Sequence, residues 1–242
     1  MRHNPHHFVD DPAIVRRLIR ENPWCILVSG HENQLVASHY PVLLDEDSDK
    51  LAVFTHVGRP DDQIHGFGER EIMLIVQRVH GYISPSWYAP SATRAPTWNY
   101  AVAHCYGIPE ILDEELNLRT LARLVAHFER HVEQPMMLNL DWAEPVARGT
   151  VGIRLPITRF HCKVKMSQDK DPETQGRVME ALRAPGPTTI RGLLKRCSGL
   201  LAAARTQTFR GRRPSAAAPR SACRSSASPA PRGRNHPAGS AR

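Results

Sequence analysis

The apolar residues of this chain fall mainly into short runs with the two-residue period of β-strands. In the range 151–157 every second residue is Val, Ile or Leu, which predicts a strand with one buried face. Residues 72–76 are an unbroken apolar run, which predicts a strand covered on both faces. The sequence has no Gly-x-Gly-x-x-Gly and no regular alternation of strands and helices, which argues against a Rossmann unit. We therefore predict an α+β chain, mainly antiparallel β, in which helices lie around a barrel.

Three helices are predicted at the periphery of this barrel. The first follows Asp11, a residue type that caps helices, has Pro12 in its first turn and ends before Asn22. Apolar residues at helical spacing predict the second helix at about 113–133, and the third is placed at 172–183. Further strands, the second and third of them paired as a hairpin, are predicted at 24–29, 34–44, 51–57 and 98–112.

The charges of the chain are divided unevenly along its 242 residues. Residues 1–186 contain 20 Lys and Arg against 24 Asp and Glu, whereas residues 187–242 contain 12 Lys and Arg and no acidic residue. The second range is rich in Arg, Ala, Pro and Ser and has little to bury, so it is predicted to be a disordered or aberrant tail. Residues 1–186 are predicted to form the folded domain. A basic arm that binds nucleic-acid phosphates is the alternative interpretation of the tail.

Several functional classes are disfavoured by what the sequence lacks. The five cysteines include no Cys-x-x-Cys pair, no run of 18 apolar residues occurs, and residues 1–7 lack the apolar core of a signal peptide. These features favour a cytoplasmic protein without a membrane span. His127 and His131 have the spacing of two metal ligands on a helix, but the Glu that a zincin needs beside the first His is absent, so no metal is predicted. A Gly-x-Ser-x-Gly elbow is also absent.

Two clusters rich in aromatic and hydroxyl side chains flank a short Pro, Ser and Ala loop. The first is His80-Gly-Tyr-Ile-Ser-Pro-Ser-Trp-Tyr88, and the second is Pro96-Thr-Trp-Asn-Tyr-Ala-Val-Ala-His104. Hydroxyl groups beside flat apolar rings suit a planar ligand with a polar or charged tail. An aromatic core whose polar tips are satisfied by hydrogen bonds is the other interpretation.

These clusters also carry a resemblance to a known family. Residues 80–88 and 97–100 resemble the paired signature of the PaiB-like family, the FMN-binding negative transcriptional regulators, and residues 5–8, 37–41 and 163–168 resemble its other motifs in the same order. The resemblance implies an FMN-binding split β-barrel, a symmetric homodimer with the flavin at its interface, and regulation of sporulation and degradative-enzyme genes. The alternative is an FMN-dependent oxidoreductase acting on a small molecule, although no residue identifies a substrate. Direct DNA binding is disfavoured by the net charge of −4 on residues 1–186.

Candidate residues exist for both ends of an FMN molecule, and no catalytic residue is predicted. A phosphate favours cations and hydroxyl groups, and these are offered by Arg59, Ser84, Ser86, Lys163, Lys165 and Ser167. Lys163, Lys165 and Ser167 are expected to face one side of an extended segment, and Ser84 and Ser86 one side of another. An isoalloxazine ring favours flat apolar surface with polar groups at its rim, and these are offered by Gln77, Trp87, Trp98 and Asn99. His39 and His56 are expected to meet across the predicted hairpin. Taken singly, each residue also has an ordinary explanation as a surface charge or a core side chain.

The chain departs from the usual pattern of the family in two loops. After the third strand, Asp61 and Ile64 stand where the family usually has Asn and Trp, and the carboxylates of Asp61 and Asp62 are expected to repel a phosphate there. In the later motif the Lys, Ser and Gln residues persist, but Cys162, Val164 and Asp169 replace the usual Gly, Trp and Asn.

Overall fold

A computed structural model gives the fold and describes residues 1, 4–31, 33–78, 80–92 and 95–183. All of the described residues lie in one compact unit of the chain. The predicted tail at 187–242 lies outside the described residues, so the predicted boundary after residue 186 stays a prediction. Within the described part of the chain, no helix has the length and apolarity needed to cross a membrane.

One seven-stranded sheet forms the larger layer of the fold, and all of its pairs are antiparallel. Its order is β1-β11-β8-β6-β2-β3, and β7 pairs with the beginning of β8. The strands are β1 (Phe8–Val9), β2 (Trp24–His31), β3 (Gln34–Pro41), β6 (Ile72–Gln77), β7 (Gly81–Ile83), β8 (Thr97–Gly107) and β11 (Arg159–Lys165).

A four-stranded antiparallel sheet forms the second layer, in the order β4-β5-β10-β9. Its strands are β4 (Leu43–Leu44), β5 (Ala52–Gly58), β9 (Glu110–Ile111) and β10 (Thr150–Pro156). The hydrophobic core joins the two sheets, because Leu27, Leu74 and Cys105 from the first share one buried cluster with Val53 and Ile153 from the second. The predicted α+β, mainly antiparallel class is therefore confirmed.

Five helices surround the sheets in the described part of the chain: α1 (Pro12–Glu21), α2 (Asp61–His65), α3 (Glu114–Glu129), α4 (Leu140–Ala147) and α5 (Pro172–Arg183). Helix α1 begins as predicted, since the Asp11 carboxylate accepts a hydrogen bond of 2.8 Å from the backbone N–H of Ala13. Helix α5 has the predicted bounds, and α3 ends at Glu129, four residues before the predicted end. Helix α4 was not predicted.

The predicted hairpin is wrong for most of its length. The range 34–44 is two strands, because β3 pairs with β2 along its whole length, whereas β4 pairs with β5 in the other sheet. The chain passes between sheets at Val42, whose N–H donates to the carbonyl of Pro23. Pro41 has no N–H with which to continue the ladder.

Candidate functional site

The seven-stranded sheet presents two chemically different faces. Side chains alternate across a strand, and directly paired residues share a face. On β8, Asn99, Ala101 and Ala103 are buried. The residues that alternate with them point to the other side of the sheet and include Trp98, which is 52% exposed. We call the side that bears Trp98 and Tyr100 the outer face.

Two lysines of β11 lie on the outer face. Lys163 pairs with Val102 and Lys165 with Tyr100, so both side chains leave the sheet on the side predicted from their spacing. The Lys163 ammonium lies 5.8 Å from the centroid of the Tyr100 ring, and the Lys165 ammonium contacts the hydroxyl of Thr97. Two cations therefore lie beside an aromatic ring at one end of the sheet.

Aromatic and polar side chains continue the outer face beyond β8. Tyr82 of β7 pairs with Trp98, and the two rings meet edge to face with centroids 6.0 Å apart. The His80 ring lies 5.9 Å from Trp98, and the Gln77 amide donates to His80 Nδ1 over 2.9 Å. Of the residues predicted to bind the flavin ring, Gln77 and Trp98 thus lie together on the outer face. Four residues of this region were not in the predicted set: His80, Tyr82, Thr97 and Tyr100. Alternation along the two aromatic clusters would have indicated Tyr82 and Tyr100.

The N-terminal strand borders the lysines. Phe8 pairs with Lys163, and the carbonyl of His7 accepts a 2.8 Å hydrogen bond from the N–H of Val164. His7 is buried, and its Nδ1 has no hydrogen-bond partner. Burial lowers the pKa of His7; Asp169 opposes this, and Lys165 lowers the pKa further. The lowered pKa favours the neutral form of the His7 ring beside the lysines.

Asn99 and Ser167 meet on the inner side of the sheet. The Asn99 amide donates to the Ser167 hydroxyl over 3.0 Å, and that hydroxyl lies 3.2 Å from the Asn99 carbonyl oxygen. Both side chains are buried. The expectation that Ser167 shares the side of the two lysines does not hold, because β11 ends at Lys165 and Ser167 turns the chain inward with φ of 62°.

Ser86 and Trp87 lie in a single turn of 3₁₀ helix, Pro85–Trp87, and Ser84 is its N-cap, so the two serines do not share an extended segment. The two serine hydroxyls come together at 2.7 Å, and Ser84 Oγ also caps the turn by accepting from the N–H of Ser86. Ser86 and Trp87 line a cavity of about 350 Å³ with Arg177, which donates to the Trp87 carbonyl. The lining of that cavity includes neither lysine of β11.

Arg59 follows β5 as predicted, at the point where the chain enters α2. Its guanidinium donates to Asp62 over 3.0 Å and lines a cavity of about 330 Å³ bounded by α3, α4 and β10. That lining includes Asn117 and Arg148 but neither Lys163 nor Lys165. The structure therefore assigns Arg59 to different surroundings from those of the two lysines.

The two predicted histidines do not meet across a hairpin, because β3 and β5 belong to different sheets. His39 lies exposed on the outer face, and its ring stacks on Trp24 with centroids 6.4 Å apart. His56 pairs with Gly152, against which the side chain of Asn117 packs, so it lies on the side of its sheet that faces α3. Burial lowers the pKa of His56, and its Nδ1 has no hydrogen-bond partner.

The carboxylates of Asp61 and Asp62, which were expected to repel a phosphate, accept hydrogen bonds from side chains of the protein. Asp61 accepts hydrogen bonds from the hydroxyls of Ser38 (2.8 Å) and Tyr40 (2.7 Å), while Asp62 accepts from Arg59. Ser38 also lies 3.0 Å from His65 Nε2, and Ser29 lies 2.8 Å from His65 Nδ1. Asp61 thus ends a chain of hydrogen bonds that joins α2 to β2 and β3.

His127 and His131 have a guanidinium between them. Arg130 Nε lies 3.0 Å from His131 Nε2, and Arg130 Nη2 lies 3.3 Å from His127 Nε2. A cation in this position opposes a metal ion by charge. Among the residues that the structure describes, no group of three or more His, Cys, Asp and Glu side chains is placed to hold a metal.

The donor set of the outer face fits both ends of FMN. Lys163 and Lys165 supply the positive charge that a phosphate favours, and Trp98, Tyr82 and Tyr100 supply flat apolar surface beside them. Because these groups project from one side of one sheet, the surface forms a single wall of a site.

Two antiparallel sheets packed over one core form a split barrel. The fold is similar to the FAD and heme binding protein of Mycobacterium smegmatis (TM-score 0.53, 13% identity, 69% of this chain and 78% of that one). It is also similar to the flavocytochrome Anf3 of Azotobacter vinelandii (TM-score 0.50, 15% identity, 74% and 76%).

The sequence profile of the family described as "Putative FMN-binding domain" matches residues 1–159, and this chain belongs to that family. The chain is 26% identical over 184 residues to the Protease synthase and sporulation protein PAI 2 of Bacillus subtilis (74% of this chain, 88% of the relative). It is 25% identical over 201 residues to an uncharacterized protein of Emericella nidulans (65% and 80%). These findings confirm the predicted relation to the PaiB-like family and the predicted cofactor, FMN. The family match ends before Lys163 and Lys165.

Proposed function

We propose that this protein binds FMN on the outer face of the seven-stranded sheet as a homodimer, and that it is a regulator resembling PAI 2. The phosphate would lie at Lys163 and Lys165, and the ring would lie against Trp98 and Tyr82. The observation that carries this proposal is the placement of two ammonium groups beside an aromatic wall on one face.

Charge favours this surface over the cavity at Arg59. The cavity at Arg59 also contains Glu114 and Glu144, and its two arginines are engaged with carboxylates, Arg59 with Asp62 and Arg148 with Glu144. A phosphate there would compete with those ion pairs. At Lys165, by contrast, the ammonium contacts the neutral hydroxyl of Thr97.

The homodimer would supply the wall that a single sheet face lacks. The outer face exposes large apolar side chains, with Leu35 86% exposed and Trp24 63% exposed. Ile26 and Ile75, which are paired on the same face, are only half-buried. A contiguous apolar surface of this kind is typical of an interaction site. A second copy packed on it by a two-fold axis would remove that surface from water and enclose the flavin.

A role in regulation is supported by the 26% identity to PAI 2, whose name links it to protease synthesis and sporulation. The net charge of −4 on residues 1–186 disfavours a direct grip on duplex DNA. The regulatory effect would therefore pass through flavin binding or through a partner.

Titration of the full-length protein with FMN and with riboflavin, which lacks the phosphate, tests the proposed site. Lys165→Ala is expected to weaken FMN binding by about 10- to 100-fold, because hydrogen bonds to charged groups contribute about 1.5–3 kcal/mol. Riboflavin affinity should stay nearly unchanged. Lys50→Ala, in the exposed loop after β4, is the matched control and should alter neither. Equal FMN affinities for the two variants would remove Lys165 from the site.

Reduction of the bound flavin by NADH or NADPH separates the regulator from the oxidoreductase. A regulator is expected to bind FMN without sustained turnover. Rapid turnover with a defined small-molecule acceptor would contradict the regulatory proposal and favour the oxidoreductase.

A further inference from the structure

The buried pair of Asn99 and Ser167 is unusual for residues of a ligand site, because its polar groups are directed at each other. The two side chains exchange contacts of 3.0 and 3.2 Å on the inner side of the sheet. Serine also stands at a positive φ of 62°, where glycine or asparagine is usual. The hydrogen bond to Asn99 therefore joins a turn of unusual backbone conformation to β8.

A second restraint acts on the same turn. The side chain of Gln168 accepts a 2.6 Å hydrogen bond from the N–H of Met166, and its amide donates to the carbonyls of Val164 (2.6 Å) and His6 (3.1 Å). The turn after β11 is thereby fixed to its own strand and to the N-terminal segment. Ser167 fixes it to β8.

Lys165 lies between these restraints. It is the last residue of β11, two positions before Ser167, and its ammonium contacts Thr97, two positions before Asn99 on β8. Two parallel links therefore join the end of β11 to the beginning of β8. One is buried and neutral, and the other carries the charge.

We propose that Asn99 and Ser167 are positioning residues, which hold the Lys165 ammonium where the phosphate of FMN binds, and that neither touches the flavin. This inference rests on the proposed FMN site. A lysine side chain loses much rotational freedom when it is held by a ligand, and a fixed backbone at its base lowers that cost before the ligand arrives. The pair thus acts on affinity for the phosphate and not on affinity for the ring.

The test compares Ser167→Ala and Ser167→Gly in the full-length protein, with FMN and riboflavin as the two ligands. Glycine adopts a positive φ without strain, so Ser167→Gly removes the hydroxyl, and its hydrogen bond to Asn99, without adding backbone strain. Both variants are expected to weaken FMN binding by about three- to tenfold, a fraction of the effect of removing the ammonium itself. Riboflavin affinity should change by less than about twofold. Ser91→Ala, at an exposed serine, is the control.

A double variant shows whether Ser167 acts through the lysine. In a protein that already carries Lys165→Ala, the change Ser167→Ala should cause no further loss of FMN affinity, because coupled residues are not additive. Additive losses, equal losses for FMN and riboflavin, or an unchanged FMN affinity in both Ser167 variants would each overturn the inference. If Lys165→Ala alone leaves FMN affinity unchanged, the proposed FMN site itself fails, which is a distinguishable result.

Discussion

The two faces of the seven-stranded sheet are built from the same strands but differ in burial and in the side chains they carry. On β6, Leu74 points into the core and is fully buried, whereas its neighbour Ile75 points to the outer face and is half-buried. On β8, Ala101 is buried in the core, while Tyr100 lies beside the lysines. The inner face is a packed hydrophobic layer, and the outer face is a surface of aromatic rings and cations. A single strand can therefore serve both the fold and the proposed site because its side chains alternate.

The largest difference between the faces is expected in stability. Leu74→Ala should lower the free energy of unfolding by about 2–5 kcal/mol, since it leaves a cavity in a close-packed core. Ile75→Ala removes a side chain of similar size from the outer face and should cost about 1.5 kcal/mol or less in the monomer. Urea unfolding at low protein concentration measures both. Equal losses would show that the outer face is as tightly packed as the inner one.

Ligand affinity should depend more on side chains of the outer face than on those of the inner face. Trp98→Ala is expected to weaken binding of both FMN and riboflavin by about 1–3 kcal/mol, the range found for stacking of a planar base on an aromatic ring. Because Trp98 is half exposed, the melting temperature should change little. Titration calorimetry with both ligands measures the effect, and Trp142→Ala on the exposed side of α4 is a matched control. A loss confined to FMN would place Trp98 near the phosphate instead of the ring.

Acidification is expected to lower the stability of the protein through His65, which is hydrogen-bonded to serines on the inner side of the seven-stranded sheet. His65 is 0% exposed, and burial lowers its pKa, with Asp61 opposing. The folded state therefore binds this proton less readily than the unfolded state, whose histidine has the ordinary value of 6.5. Stability from the neutral ring is fully present above that value and is lost as the pH falls below it. The Ser38 hydroxyl donates to Asp61, so its oxygen accepts a hydrogen bond from the Nε2–H of His65. The neutral ring therefore accepts at Nδ1 the hydrogen bond that Ser29 donates, and a second proton on Nδ1 would displace that bond.

Unfolding curves between pH 7 and pH 5 test the role of His65. The free energy of unfolding should decrease toward pH 5 in the natural protein and decrease less steeply in His65→Gln, which cannot take up the proton. Identical slopes for the two proteins would assign the acid sensitivity to other buried groups, of which His7 and His56 also have lowered pKa values.

The sequence predicted those elements whose determinants are local. The first helix was predicted from the Asp11 cap and from Pro12, and the shared side of Lys163 and Lys165 followed from the two-residue period. Helix α4 was not predicted because Pro145 lies inside it, where proline removes a helical hydrogen bond.

Features that depend on distant contacts were not predictable from local pattern. The switch of the chain between sheets at Val42 depends on a hydrogen bond to Pro23, and no local pattern in the range 34–44 indicates it. The inward turn at Ser167 likewise depends on Asn99, 68 residues away in the sequence. Arg59 has the chemistry of a phosphate ligand, but its surroundings are set by α3 and α4, which are distant in the sequence.

Removal of residues 187–242 should have the smallest effect and would isolate the outer face. These residues carry 12 Lys and Arg and no acidic residue, so in the full-length chain they attract any anion. Such attraction between exposed charges is screened by salt, over about 8 Å at physiological ionic strength, whereas contacts in an enclosed site are screened much less. Truncation should therefore leave the melting temperature unchanged, and FMN affinity should differ only at low salt. A large fall in the melting temperature would show that the predicted tail is part of the fold. A loss of FMN affinity that persists at high salt would place part of the phosphate site in the tail instead of on β11.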